Sequence, residues 1–219
     1  MWTAGVMGAA SLVLFLLSVS ILIPTFNMSF FKYQNKKNGT YEHVKMEEND
    51  LLEVTRHMLR YMSGKEKQLN IETNVNGEKR MFFSEREIMH MEDVKDLYSV
   101  CFVVRNVTFV LFAAVITLMI VKKKIKFFAN CVKYACISSF SLIAVLIAVI
   151  AFNFERAFEI FHKIFFNNDM WLLDLDTDLL INILPESFFI DIAVFIAAIF
   201  VGSLIAVTAA SFISVKKVK

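Results

Sequence analysis

The sequence predicts an all-α membrane protein, a four-helix transmembrane bundle with a small α+β extracytoplasmic domain between the first two helices. Three observations carry this. Hydrophobic residues make up 57% of the 219 positions, above the roughly 45–50% of ordinary soluble domains. Four apolar runs reach the length needed to cross a bilayer. The polar stretches between them alternate between one very short basic turn and two longer segments. The formal net charge of +2 gives no support to a nucleic-acid partner.

The first span covers 1–24. No charged residue occurs from Met1 to Phe31, and Val6 to Ile23 alone is long enough to span. A cleaved signal peptide would carry positive residues before the run and a small-x-small site after it. Pro24-Thr25-Phe26-Asn27 offers neither, so the helix is read as retained. The second span covers 98–121, the third 127–153 and the fourth 188–214. Between the second and third lies only the basic turn 122–126, and a basic tail occupies 215–219. Short basic loops stay in the cytoplasm. This turn and both termini are therefore expected inside, with 25–97 and 154–187 on the extracytoplasmic face.

The segment 25–97 is patterned like a folded domain. Asp50 before Leu51, Leu52, Val54, Met58 and Leu59 reads as an Asp-capped amphipathic helix. Leu69, Ile71 and Val75 precede Asn76-Gly77, and Met81-Phe82-Phe83 follow, which is a strong hairpin signal. Ser84-Glu85-Arg86-Glu87 forms a capping box, so a helix starts there and runs unbroken into the second span. In 154–187, an extracytoplasmic interfacial segment, Phe154, Ala157, Phe158, Phe161 and Phe165 form an apolar stripe. Glu155, Glu159 and His162 lie opposite, as in a helix at a lipid surface. Pro185 suits the first turn of the last helix.

Few residues carry chemistry. Cys101, Cys131 and Cys136 form no CxxC pair and read as small buried hydrophobes. His90 and His162 lie at matching depth on the same side, where histidine is the natural proton shuttle near neutral pH. The bland alternative is a satisfied packing residue at each. His43 and His57 are read in that bland way. Arg105 falls inside an apolar helix, where a charge is expensive. It either serves the site, snorkels to the headgroups or pairs with Asp191. Asp174-x-Asp176-x-Asp178 resembles the start of a calcium loop, but Leu179 and Pro185 stand where Gly and Glu are needed, so caps and turns are expected. Trp171 reads as an interface anchor. No HExxH, GxSxG, P-loop or GxGxxG occurs.

The segment from Phe161 through His162, Phe165, Asn168, Asp169, Trp171 and Asp174 continues into Thr177, Asp178, Ile181, Leu184, Pro185 and Glu186. It resembles the signature of the lipoprotein intramolecular transacylases (Lit) of Gram-positive bacteria. Phe83-Ser84-Glu85-Arg86-Glu87-Ile88-Met89-His90-Met91-Glu92-Asp93-Val94 is similar to that family's second block. Many members carry Pro in place of Leu175 and a small polar residue in place of Met89, and neither departure removes a titratable group. The resemblance implies a diacylated bacterial lipoprotein as substrate, with membrane lipids around it. The sn-2 acyl chain of its S-diacylglyceryl cysteine moves to its own α-amine, giving the lyso form. Acyl transfer of this kind needs no metal, nucleotide or acyl-CoA, so no cofactor is expected.

Under that resemblance His90 and His162 are the catalytic pair, one as base and acid, the other as its orienter or oxyanion donor; the sequence leaves their roles open. Asp93, Glu159 and Asp169 are candidates to set a histidine tautomer. Arg105 is a candidate to grip carbonyls, and Trp171 and Tyr98 complete the supporting set. A groove open sideways to the bilayer is expected. An outer-leaflet lipid ester hydrolase would use the same pair with water replacing the amine. A non-enzymatic membrane sensor or assembly factor would survive loss of both histidines.

Overall fold

The computed structural model describes residues 1–217, so positions 218 and 219 of the expected basic tail lie outside the described residues. Its elements are helices α1 (Trp2–Thr25), α2 (Met28–Lys37), α3 (Thr40–His43) and α4 (Glu48–Met62), then strands β1 (Glu72–Val75) and β2 (Glu78–Met81). Helices α5 (Glu85–Val121), α6 (Ile125–Phe152), α7 (Phe154–Phe165), α8 (Leu179–Ile183) and α9 (Glu186–Lys217) follow. Four of them, α1, α5, α6 and α9, are long and apolar enough to cross a membrane.

The chain divides into two compact units. The first comprises Met1–Ile23, Cys101–Phe154 and the chain from Val194 on. Its buried side chains include Leu12, Met119, Phe128, Cys136 and Leu204. Large apolar residues such as Leu142, Val145 and Ile205 stay exposed, as helices bathed in lipid require. Gly8 lets α1 approach α5 closely, because a Cβ there would sit 2.5 Å from Val115 Cγ1. One at Gly5 would lie 2.7 Å from Phe127 on α6. Such small-residue contacts replace the hydrophobic drive that lipid removes.

The second unit comprises Pro24–Val100 and Glu155–Ala193. Its core is built on Leu51, Met58, Leu69 and Phe82. Each is almost fully buried and contributes about 1.5–3 kcal/mol of transfer free energy. The hairpin forms where Asn-Gly predicts it. Glu72 pairs with Met81 and Val75 with Glu78, and Asn76 and Gly77 both take positive φ, 54° and 80°. That is the requirement of a type I′ turn.

Three local expectations shift. Helix α4 begins at Glu48 with Glu47 at the cap position, so Asp50 sits in the first turn, where its charge suits the helix dipole. Helix α2 has no counterpart in the sequence reading. Its start is set by Asn27, whose side-chain oxygen accepts from Ser29 N at 3.0 Å and Phe30 N at 3.2 Å. Helix α9 starts just after Pro185, whose carbonyl accepts from Phe188 N at 2.9 Å.

Candidate active site

The segment that carries His90 is organised by its capping box. Glu87 accepts from Ser84 N at 2.6 Å, and Ser84 Oγ accepts from Glu87 N at 3.3 Å. Glu87 is buried, and its other oxygen accepts from Leu180 N at the start of α8, at 2.5 Å. Ser84 Oγ donates to Asp178 at 2.9 Å, and Asp178 also accepts from Asp174 N at 2.9 Å. Burial raises the Glu87 carboxyl above the usual range against the pull of these donors. This polar knot ties the first turn of α5 to the loop between α7 and α8.

One turn further along α5, the same face brings His90 against that loop. The ring centroids of His90 and His162 lie 5.9 Å apart. Both side chains are buried, at 8% and 6% exposure. His162 Nδ1 lies 2.7 Å from the Phe158 carbonyl. A carbonyl only accepts, so Nδ1 carries the proton and Nε2 of the neutral ring keeps its lone pair. Trp171 stacks on this ring at 4.8 Å, and Phe158 and Phe166 pack against it at 4.1 and 5.4 Å. Phe166 also meets His90 edge-on at 5.3 Å.

Burial, reinforced by the second imidazole, pushes His90 down to about 4 while the Asp93 charge pulls the other way. Burial also lowers His162, opposed by its bond to Phe158. Both rings are therefore neutral at physiological pH. His90 Nδ1 is buried with no hydrogen-bond partner among the described residues. An orphaned N–H is costlier than an orphaned lone pair, which favours the tautomer that carries its proton on Nε2.

The other expected residues divide. Trp171 belongs to the histidine cluster and is more than an interface anchor. Asp93 accepts from Asn168 Nδ2 at 2.9 Å and holds the loop beside His162. Asp169 contributes its carbonyl, which accepts from Arg86 at 3.4 Å. Glu159 is bound to Lys163 at 2.5 Å and Arg156 at 2.6 Å, and His162 Nδ1 donates to the Phe158 carbonyl instead. Tyr98 OH and Thr25 Oγ1 are 3.1 Å apart. Arg105 lies about four turns beyond His90 on α5 and donates to Asn106 Oδ1 at 3.0 and 3.1 Å. Asp191 accepts from Lys37 and Gln34 instead.

On α7 the polar-face assignment of His162 is corrected. It is the buried residue of that helix, while Ile160, Phe161, Ile164 and Phe165 are exposed. His162 sits at the border between the two faces, and the helix turns that border inward.

Arg86, Phe166 and Glu87 were not singled out as site residues. Arg86 Nη1 also donates to the Leu172 carbonyl at 2.6 Å, so one guanidinium nitrogen holds the loop carbonyls before and after Trp171 in sequence. Its spacing from His90 and Asp93 on one helical side was the available signal.

The Lit family, lipoprotein intramolecular transacylase, matches this chain over residues 6–189. The chain belongs to that family. It is an integral membrane protein and an acyltransferase, an intramolecular transacylase of lipoproteins. An uncharacterized protein of Aquifex aeolicus (strain VF5) is 27% identical over 175 residues, covering 78% of this chain and 76% of its own. Among solved structures, the membrane integral Lit of Bacillus cereus is similar with a TM-score of 0.84 at 20% identity. That comparison covers 98% of this chain and 95% of that one. Two variants of it with a histidine replaced by arginine or alanine give TM-scores of 0.79 and 0.78, also at 20% identity. They cover 98% of this chain and 92% and 93% of theirs. These structures support the fold.

Proposed function

We propose that His90 and His162 are the catalytic pair and that they divide the work as base and donor. The carrying observation is the hydrogen bond from His162 Nδ1 to Phe158, which leaves Nε2 as a proton acceptor beside a second neutral ring. The substrate is a lipoprotein whose N-terminal cysteine bears an S-diacylglyceryl group and a free α-amine. His162 Nε2 takes a proton from the amine as its nitrogen attacks the sn-2 ester carbonyl. An α-amine has a pKa of about 7.7–8, so a neutral imidazole suffices.

The attack closes a ring of roughly eight atoms, and holding that ring closed supplies an entropic share of the rate. The new N–C bond forms as the C–O bond to glycerol breaks, and the His162 imidazolium returns its proton to the glyceryl oxygen. His90 Nε2–H donates to the oxyanion without ever being charged. Trp171 holds the His162 ring, Arg86 holds the loop that carries Trp171, and Asp93 holds Asn168. Glu159, Asp169, Tyr98 and Arg105 act further out, on the helices and loop that carry the pair.

The four apolar helices form a transmembrane bundle with both termini in the cytoplasm. The basic turn 122–126 supports this. The segments 25–97 and 154–187 then face outward, with the exposed apolar residues of α7 at the lipid surface.

The test uses purified protein and a diacylglyceryl peptide, read by tandem mass spectrometry. Transfer leaves the mass unchanged, blocks the amine and moves one acyl chain to it. A mixture of isotopically distinct substrates gives no crossed products. Release of free fatty acid would identify a hydrolase instead, and an unaltered peptide would favour a non-catalytic protein.

A further inference from the structure

A groove of about 900 Å³ opens between the start of α5 and the loop after α7, lined among others by Glu85, Arg86, Met89, Met170, Leu172 and Thr177. Each wall is continuous in the chain with a residue of the histidine cluster. Met89 directly precedes His90 on α5, and Met170 and Leu172 flank Trp171, which stacks on His162. Met89 and Leu172 are 44% and 51% exposed, large apolar side chains left open in a unit that buries many others. Of the polar groups lining it, Arg86 binds two loop carbonyls and Ser84 binds Asp178, while Glu85, Asp174 and Thr177 also face the groove. Met89, Met170, Leu172 and Leu173 give the groove an adaptable apolar strip among these polar groups, and methionine thioethers suit chains of varied sequence.

We propose that this groove receives the polypeptide of the substrate, the second to fifth residues after the lipidated cysteine, as an extended chain. This rests on reading His90 and His162 as the reacting centre. If the cysteine's amine lies at His162, its carbonyl starts the peptide only a few ångströms away. Four extended residues span roughly 14 Å, enough to follow α5 back from His90 to Glu85, a rise of about 7.5 Å. The apolar run of α5 begins in the other direction, at Tyr98. A peptide in the groove therefore leaves the lipidated end behind.

Two measurements test this. Kinetics compare a diacylglyceryl-cysteine dipeptide with a decapeptide of the same start. Met89→Asp and Leu172→Asp are expected to raise KM for the decapeptide about tenfold and leave the dipeptide unchanged; equal effects on both substrates, or on neither, would overturn the proposal. In the second, a benzophenone at the third peptide residue is expected to label Met89 or Met170, in wild type and in His162→Ala. Labelling of those methionines from the end of an acyl chain instead would assign the groove to lipid and overturn it. Persistent turnover by His162→Ala would remove the catalytic reading alone, because labelling reports the groove separately.

Discussion

If His90 is held neutral by burial, lowering the pH should expose that cost in a defined window. Its pKa is pushed down to about 4, against an ordinary value of about 6.5. At pH 6 a group at 4 is about 1% protonated, whereas one at 6.5 would be about three-quarters protonated. The unfolded chain binds a proton at this position below about 6.5 and the folded one only below about 4, so stability is full above that window. It is lost as pH falls through it, by about 2 kcal/mol between pH 7 and pH 5. Ring-labelled histidine followed by NMR in micelles, assigned with His90→Phe, reads the midpoint directly. Thermal unfolding at pH 7 and pH 5 should show wild type losing about 2 kcal/mol more than His90→Phe. A midpoint of about 6.5 would refute the effect of burial on this ring, and one above about 7.5 would refute the neutral-donor argument, because His90 would then be mostly charged at physiological pH.

The polar knot and the helix contacts are open to equally direct tests. Glu87→Ala leaves the buried Leu180 amide and the half-buried Ser84 amide without their acceptor and should cost about 1–3 kcal/mol for the Leu180 amide alone in thermal unfolding. A change within about 0.5 kcal/mol, the size of a neutral surface substitution, would show that water replaces the carboxylate. Gly8→Leu forces side-chain atoms into Val115 and should destabilise by about 1–3 kcal/mol, measured in detergent. An unchanged unfolding temperature would mean that α1 moves aside without cost. Arg86→Ala should lower kcat about tenfold, the effect of a barrier rise near 1.4 kcal/mol. In a Trp2→Phe background it should also shift Trp171 emission, as the ring leaves its place against His162. Loss of activity without that shift would deny Arg86 its positioning role.

Hydropathy and capping made much of the architecture legible, because those signals are local. Four apolar runs can be counted, Asn76-Gly77 states its turn, and Ser84 to Glu87 states a helix start. What stayed hidden depends on partners distant in sequence. Glu87 reads as half of a capping box, yet its second oxygen serves Leu180, 93 positions away. The face of His162 was misjudged because periodicity places it at the edge of the polar side of α7, and only the loop carrying Trp171 determines which edge turns inward. Glu159 was a reasonable tautomer candidate by spacing. The Phe158 carbonyl, four residues before His162 on the helix, takes that place, and backbone acceptors leave no trace in residue type. Matching depth on one side already marked His90 and His162 as a possible two-histidine site, and the family resemblance made them the expected catalytic pair. Their hydrogen-bonding states came from geometry.

The division of labour between the two histidines is tested most directly by single-turnover transfer in His162→Gln and His90→Gln, each shown to unfold at the wild-type temperature. Glutamine cannot act as a base but its amide can still donate. The account expects His162→Gln to lose about 10²–10⁴-fold in rate and His90→Gln to retain more of it, with the α-amine blocked in neither product beyond what those rates allow. Near wild-type transfer by His162→Gln would contradict the account.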